Sequence, residues 1–535
     1  MSHLSKIFTQ TPVQIPNRSG FDLSFENLLT MQCGTLVPVL CEECMPNETF
    51  SLGHMTQIQF PAFATDFYGR IDFRLEAFFV PMRILWGGWQ NFFTMPENNP
   101  FSETVVRPES VPSLLMNSAD VGRGSLADYL GLKVSTSSTD DSYGLYVSNI
   151  LPFIAYAKIY DDWYRNPNIQ VPLFSRKTGG LTADTTNPLP MLPWLTSTFS
   201  LAEAQCSFND GSSLLDLRQR NWAKDYYTTA ALYPQASGDV AGSVAEVEDD
   251  TISINALRSA NVLQRWLDRN NIAGERYSDQ IKAHFGVMPS DAILDRPIFL
   301  GSDKFGVYTK SVYQTGSSSS DSSNPFSSVG TKYGSGSGFG KNSLIDKFTT
   351  TEHGYLVVLA SIVPHAYYST GVRRTFMRSA IGDFANPTLQ GLGEQAIYGI
   401  ELGGNLDDYP VESSRDVYTV DFEGDIFGYT PQYSDYKYHD DEVHGLLVDG
   451  ENLEAFALQR SFDSNPILGS DFLQIPTSYL DQVLAASDEV SGFSGWADIF
   501  FDFKRVSPLS EYVIPTLGDL KNTHTEKIPF RGRQL

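Results

Sequence analysis

Cysteine is scarce in this chain, with four copies in 535 residues. So few thiols cannot form a disulfide framework, and three of them, Cys33, Cys41 and Cys44, crowd into one short stretch. Long apolar runs are missing as well, since the strongest, Tyr355 to Val363, is far too short to span a bilayer. The opening residues MSHLSKIFTQ lack the apolar core of a secretory signal. These absences predict a chain made in a reducing cytoplasm with no membrane association. Positive charge is also in short supply: 38 Lys and Arg stand against 63 Asp and Glu, a formal net charge of −25. A surface that acidic repels polyanions and favours basic partners, which argues against nucleic-acid binding by the surface as a whole. Only the ends are locally basic, with Lys6 and Arg18 near the start and Lys521, Lys527, Arg531 and Arg533 beside Glu526 at the finish.

Catalytic signatures are equally thin. No GxSxG, HExxH or EF-hand spacing occurs. Gly340 and Lys341 imitate the end of a phosphate loop, but Asn342 replaces the Ser or Thr that binds magnesium and Ser335 replaces the first glycine. Cys41 and Cys44 form a CxxC, with Cys33 and His54 the nearest further ligands; a zinc site needs four, and small core hydrophobes are the simpler account. The acid runs Asp161-Asp162, Asp407-Asp408 and Asp440-Asp441-Glu442 offer carboxylates for glycan hydrolysis or calcium. Neighbours on a strand point to opposite faces, so solvated charge explains them better. His353, His365, His439 and His444 are scattered without a nucleophile in a local pattern. No catalytic residue, metal site or cofactor is assigned.

What is present is a globular, loop-rich composition: 41 % hydrophobic and 13 % aromatic residues, enough for a packed core, with 42 Gly and 29 Pro for turns. Tyr68 to Pro81 alternates Ile71, Phe73 and Leu75 with Asp72, Arg74 and Glu76, the two-residue period of a half-buried strand. Val417 to Phe422 and Trp496 to Lys504 alternate likewise, whereas Tyr355 to Val363 reads as a strand buried on both faces. Strands so far apart favour an elaborated two-sheet sandwich over a meander. Helical periodicity is confined to Phe153–Arg165, Asn255–Arg269 and Ser278–Phe285. In the second, Ala256, Ala260, Leu263 and Leu267 share a face, which predicts that it packs against something. The third starts at a Ser278 cap and stops at Gly286. Thr315 to Gly340, rich in Ser and Gly, has no periodic apolar face and is expected to be a mobile loop or arm; residues 132–144 and 235–250 read the same way. The aromatic run Trp86 to Phe93 is expected at a core or subunit contact.

Several blocks, in order, resemble the major capsid protein of the Microviridae, especially its gokushovirus branch of small single-stranded DNA bacteriophages. They are Gly34–Phe50 (GTLVPVLCEECMPNETF), Phe78–Phe93 (FFVPMRILWGGWQNFF), Leu151–Gln170 (LPFIAYAKIYDDWYRNPNIQ), Trp222–Gln235 (WAKDYYTTAALYPQ) and Ile254–Gly301. Thr351–Gly354, Phe427–Gly445 and Phe462–Pro466 also fit, so the likeness runs from about residue 34 to 518. The resemblance implies an eight-stranded antiparallel jelly roll of viral capsid type, with long loop insertions holding a few short α-helices. It further implies a structural protein, not an enzyme, that assembles into a T=1 icosahedral shell around circular single-stranded DNA. The expected layout is a single domain over 1–535, with an N-terminal arm at 1–33, inserted loops and helices over 95–350, and a basic tail at 519–535. Implied partners are further copies of the chain, the packaged DNA, a small basic DNA-binding virion protein, a minor pilot protein and a host surface receptor. The place is the virion capsid, assembled in the host bacterial cytoplasm.

Trp86, Trp89, Tyr160, Trp163, Tyr164 and Trp266 are the candidate interface aromatics; Lys6, Arg18, Lys527, Arg531 and Arg533 are the candidate DNA contacts. One departure concerns the long insertion that such proteins carry after the YPQ-like run. Here only a short segment separates Gln235 from Thr251, which predicts a short or missing threefold protrusion, with the Ser/Gly stretch as a substitute exposed feature. The competing function is a β-sandwich that binds or hydrolyses glycans, using the acid pairs and surface aromatics.

Overall fold

The computed structural model describes residues 18–94, 108–116, 122–132, 145–174, 189–195, 200–202, 206–234, 254–273, 276–313, 332–369, 371–403, 411–414, 417–420, 426–462, 464–485 and 493–509. Five strands come first: β1 (Ser19–Asp22), β2 (Phe25–Met31), β3 (Val37–Cys44), β4 (Thr49–Gln59) and β5 (Ile71–Pro81). Short helices α1 (Met82–Leu85) and α2 (Trp89–Thr94) follow, then β6 (Ser113–Met116), α3 (Leu126–Tyr129), β7 (Leu145–Val147), α4 (Leu151–Ile159) and β8 (Ser200–Leu201). Helices α5 (Ile254–Ala273) and α6 (Tyr277–Phe285) precede β9 (Ile298–Gly306), β10 (Tyr308–Tyr313), β11 (Lys332–Thr349) and β12 (Gly354–Pro364). The remainder holds β13 (Glu394–Tyr398), β14 (Val411–Ser414), β15 (Val417–Val420), β16 (Ile426–Pro431), α7 (Ser470–Leu473) and β17 (Gly495–Ser507).

The protein is mainly β, built from antiparallel sheets with few short helices. One large sheet runs β1–β17–β4–β11–β10, with β2 also on β17, and the other runs β3–β12–β5–β9. Strands β6, β7 and β8 form a small satellite sheet, and β13–β16 and β14–β15 are two-stranded ladders. The two large sheets face each other through alternate side chains. From β17 come Ala497, Ile499, Phe501 and Phe503, while Trp496, Phe500, Asp502 and Lys504 point to solvent, the half-buried alternation expected of this segment. From β12 come Leu356, Val358, Ala360 and Ile362, joined by Phe73, Leu75, Ala77 and Phe79 of β5.

All eleven residues of β12 are buried, because its other face is covered too. There Tyr355, Val357 and Leu359 meet Phe78 and Val80 of β5 and Phe153, Ile154 and Tyr156 of α4. Helix α4 is accordingly apolar nearly all round, with seven of its nine residues buried. The Tyr156 hydroxyl donates to the Leu36 carbonyl (2.8 Å) and accepts from the Arg218 amide (2.7 Å), so this buried polar tip is satisfied. The same face of β5 also carries charge. Its polar positions, read as solvent-facing, are enclosed: Asp72 is buried and bonded to Arg70 (3.0 Å) and His365 (3.3 Å), and Glu76 is held by Arg220.

Strand β11 overturns part of the loop expectation for Thr315–Gly340. From Lys332 onward this sequence is strand, paired with both β10 and β4. Its alternation is of glycine with serine or phenylalanine instead of apolar with polar: Gly334, Gly336, Gly338 and Gly340 are buried, while Ser335 and Phe339 are exposed. A Cβ on Gly336 would overlap the Phe63 ring, and one on Gly340 the Phe305 ring. Large rings from the segment after β4 and from β9 of the facing sheet fill the space that side chains on β11 would need. Residues 315–331 lie outside the described residues, as do 133–144 and 235–250.

Other boundaries shift as well. Ser19–Asp22 and Phe25–Met31 of the expected arm are strands β1 and β2, paired along β17, and Ile298–Gly306, Tyr308–Tyr313 and Lys332–Thr349 of the expected insertion are β9, β10 and β11 of the large sheets. Ser278 is not the α6 cap; Arg276 holds that place in extended geometry, while Gly286 ends the helix in the left-handed conformation (φ 71°) as expected. The tail at 519–535 lies outside the described residues.

The glycine face of β11 gives a direct test. At Gly334 a Cβ would run into the Thr65 backbone carbonyl, which cannot yield as a side chain could. Gly334→Ala should destabilise the unassembled chain in urea by about 1–3 kcal/mol, whereas Ser335→Ala on the open face should stay within about 0.5 kcal/mol.

Candidate assembly surface

Beyond α4 the chain makes one π-type turn, Tyr160–Tyr164, that swings two aromatic rings over β5 and β9. The Trp163 ring lies between Phe78 (5.7 Å) and Phe299 (5.5 Å), the Arg296 guanidinium sits 4.2 Å from its centroid, and its indole N–H donates to the Pro297 carbonyl (2.9 Å). Beside it the Tyr164 hydroxyl donates to Glu76, which also receives two N–H bonds from Arg220 (2.7 and 3.0 Å). Burial raises the Glu76 carboxyl, but Arg220 and the Tyr164 hydrogen bond outweigh it and leave the group below its usual range. Arg276, at the head of α6, donates to the Arg165 carbonyl (2.8 Å). This aromatic and charged cluster therefore fastens the α5–α6 hairpin to the sandwich.

That assignment corrects part of the interface expectation. Trp86 is completely buried and Tyr160 is 4 % exposed, so neither has surface left for another chain. Trp163 and Tyr164 are half-buried and occupied within the chain, and Trp89 packs on Phe92, Phe93 and His353. Of the six aromatics Trp266, on α5, is the one left 51 % exposed. Of the basic candidates, Arg18 donates to Thr49 Oγ1 (2.8 Å) and the Val506 carbonyl (3.3 Å) at the end of the β1–β17 ladder. Lys6, Lys527, Arg531 and Arg533 lie outside the described residues.

The groups that suggested chemistry are dispersed or already committed. Cys41 and Cys44 stand three apart on β3, an odd spacing that sends them to opposite faces: Cys44 joins Cys33 in the inter-sheet core, and Cys41 packs under the α4 layer. Burial pushes the Cys41 and Cys44 thiols up to about 12 and Cys33 higher still, so all three are protonated. His54 bonds Thr56 and Asp303, each at 3.0 Å. Among the described residues no group of three or more His, Cys, Asp or Glu could hold a metal ion. Asp161 accepts from Arg165 (2.7 Å) and the Leu173 amide (3.0 Å), and Asp162 pairs with Lys158 (3.0 Å). Glu442 is taken by Arg373 and His444, and Asp407-Asp408 lies outside the described residues.

A second buried polar cluster had no signal in the sequence, because its members are distant in the chain. Arg460 is 8 % exposed, 4.4 Å from the Phe472 ring and 4.8 Å from Trp222, and donates to the Tyr368 hydroxyl (3.2 Å). Tyr368 in turn donates to Asp225 (2.7 Å). Asp440 lies within the field of Asp225, and burial together with that repulsion pushes its carboxyl up to about 6.

These are the features of a rigid scaffold with exposed loops rather than of a catalytic cleft, and the comparisons with known proteins agree. A model of the family "Capsid protein (F protein)" matches residues 9–237 and 213–517. The chain belongs to this capsid family. It is similar to "Capsid protein VP1" of Chlamydia phage 1, with 25% identity over 95% of this chain and 97% of that protein. Capsid protein VP1 of Bdellovibrio phage phiMH2K is 24% identical over 96% and 98% of the two chains, and that of Spiroplasma virus 4 is 24% identical over 94% and 95%. As a Microviridae-type capsid protein the chain is structural and non-enzymatic, located in the virion shell that copies of it assemble. Among the described residues no helix is long and apolar enough to cross a membrane.

Two measurements follow from the buried charges. Glu76→Ala leaves the Arg220 guanidinium enclosed without its partner and should cost the capsid subunit about 3–5 kcal/mol in urea unfolding, with Glu76→Ala/Arg220→Leu costing less. For Asp440 the folded chain holds its proton more tightly than the unfolded chain, so stability falls as pH rises from 3.8 to about 6 and stays lower above. Asp440→Asn should flatten that slope and raise the melting temperature at neutral pH; an unchanged pH profile would refute the assignment.

Proposed function

We propose that the chain is the major capsid subunit of a T=1 icosahedral shell enclosing a circular single-stranded DNA genome, and that its body is an eight-stranded jelly roll. The strand order carries this reading. Taken along the chain, β2, β4, β11 and β17 belong to one sheet as β2–β17–β4–β11, and β3, β5, β9 and β12 to the other as β3–β12–β5–β9. Successive strands of the eight cross between two packed four-stranded layers except from β5 to β9, which pair within one layer, and such a two-layer arrangement is the double Greek key used by viral shells. Strands β1 and β10 extend the first layer.

A net charge of −25 makes this subunit a poor container for DNA by itself, since enclosed phosphate needs cations. We assign that task to a small basic virion protein, aided by the basic ends, Lys6 and Arg18 at one and Lys527, Arg531 and Arg533 at the other. A minor pilot protein and a host surface receptor complete the proposed partners, and assembly takes place in the bacterial cytoplasm. Expression of the chain with and without such a basic partner, read by sedimentation and electron microscopy, tests the proposal. Uniform icosahedral particles of one size are expected in at least one condition. A monomer that persists in both conditions contradicts it.

A further inference from the structure

Helix α5 was expected to pack through Ala256, Ala260, Leu263 and Leu267; Ala260 and Leu267 are half-buried, while a different set of apolar side chains on α5, α6 and the turn beyond is left open among the described residues. Val262, Trp266, Tyr277, Phe285, Val287 and Ile293 are each between 51% and 78% exposed, on one hairpin and the turn that follows it. So many large exposed apolar side chains within one short span of the chain favour a contact surface there. The charge around them is opposite to that of the chain. Residues 254–286 hold five Lys and Arg against three acids. Arg258, Arg265, Arg269 and Lys282 are exposed, and among the described residues none of them is in an ion pair.

A complementary surface lies elsewhere on the same chain. Residues 434–454 hold seven acids against one lysine, and Tyr436, Tyr438, Leu446 and Leu453 there are 39% to 64% exposed. Asp441, Asp449, Glu451 and Glu454 are exposed, and among the described residues no ion pair engages them or joins this segment to the hairpin. Two hairpins would repel each other, and so would two acidic segments. Pairing one with the other satisfies both charge and apolar area.

We propose that the α5–α6 hairpin of one copy docks on the 434–454 segment of a neighbouring copy, a proposal that rests on the shell-subunit reading. Burial of Trp266 and Phe285 supplies affinity, while the Arg and acid rims steer and register the contact. A contact between two different patches is heterologous, so it propagates from copy to copy and closes into a ring.

The test uses the full chain and two charge reversals, Arg258→Glu/Arg265→Glu/Arg269→Glu and Asp441→Lys/Asp449→Lys/Glu451→Lys, each checked for native unfolding. Either set alone should lower particle yield by about tenfold or more, and both sets in one chain should restore it. In parallel, Arg265→Cys and Glu451→Cys copies are mixed and oxidised, and interchain disulfide dimers are expected that neither copy forms alone. Particles unaffected by either reversal overturn the docking and leave the shell reading standing. Mixed disulfide dimers without any wild-type particles support the docking and contradict the shell. Absence of both particles and dimers overturns both.

Discussion

Everything in this structure is arranged around a strand that has no solvent face. With β12 buried along its whole length, one side must meet another sheet and the other must meet something equally apolar. The first requirement sets the β3–β12–β5–β9 layer against the layer containing β17 and β4. The second recruits α4, whose near-complete burial makes it a third layer instead of a surface helix. The enclosed carboxylates of β5, Glu76 and Asp72, then need partners, and Arg220 and Tyr164 supply them for the first, Arg70 and His365 for the second. The hairpin α5–α6 is fastened to this cluster through Arg276, so the position of an exposed element follows from the burial of an interior strand.

A shell subunit has two opposed needs: a body that does not deform and a surface that is incomplete alone. The inter-sheet core answers the first with interleaved Phe, Ile, Leu and Val side chains, and with the glycine face of β11 that admits Phe63 and Phe305. Exposed apolar groups on α5, α6 and the 434–454 loops answer the second. An acidic surface keeps free copies soluble, and local reversals of its sign give the copies direction when they meet.

Where one residue's environment follows from its neighbours in sequence, the fold was legible. The alternation in β17 and the unbroken apolar run of β12 led to correct burial patterns, and Gly286 ended α6 as its type implies. Legibility failed where the environment is supplied from far away. Alternating glycines in β11 look like a linker until Phe63 and Phe305 are seen above them. Asp72 and Glu76 look solvated until Arg70, His365 and Arg220 are seen to hold them, and Trp86 looks like an interface anchor until its complete burial is seen. The Asp225–Tyr368–Arg460 cluster joins three distant segments and leaves no local trace. Family identity survived these errors because it rests on collinear blocks along the chain, matched by the capsid family over residues 9–517.

Native-state hydrogen exchange on unassembled subunits, followed into particles, tests the central claim that doubly buried β12 organises a rigid body with an unfinished surface. Amides of β12 should exchange only through global unfolding in both states, while α5 and residues 434–454 should exchange by local opening in free subunits and slow on assembly. Rapid exchange in β12, or an α5 hairpin already fully protected in the free subunit, would contradict this account.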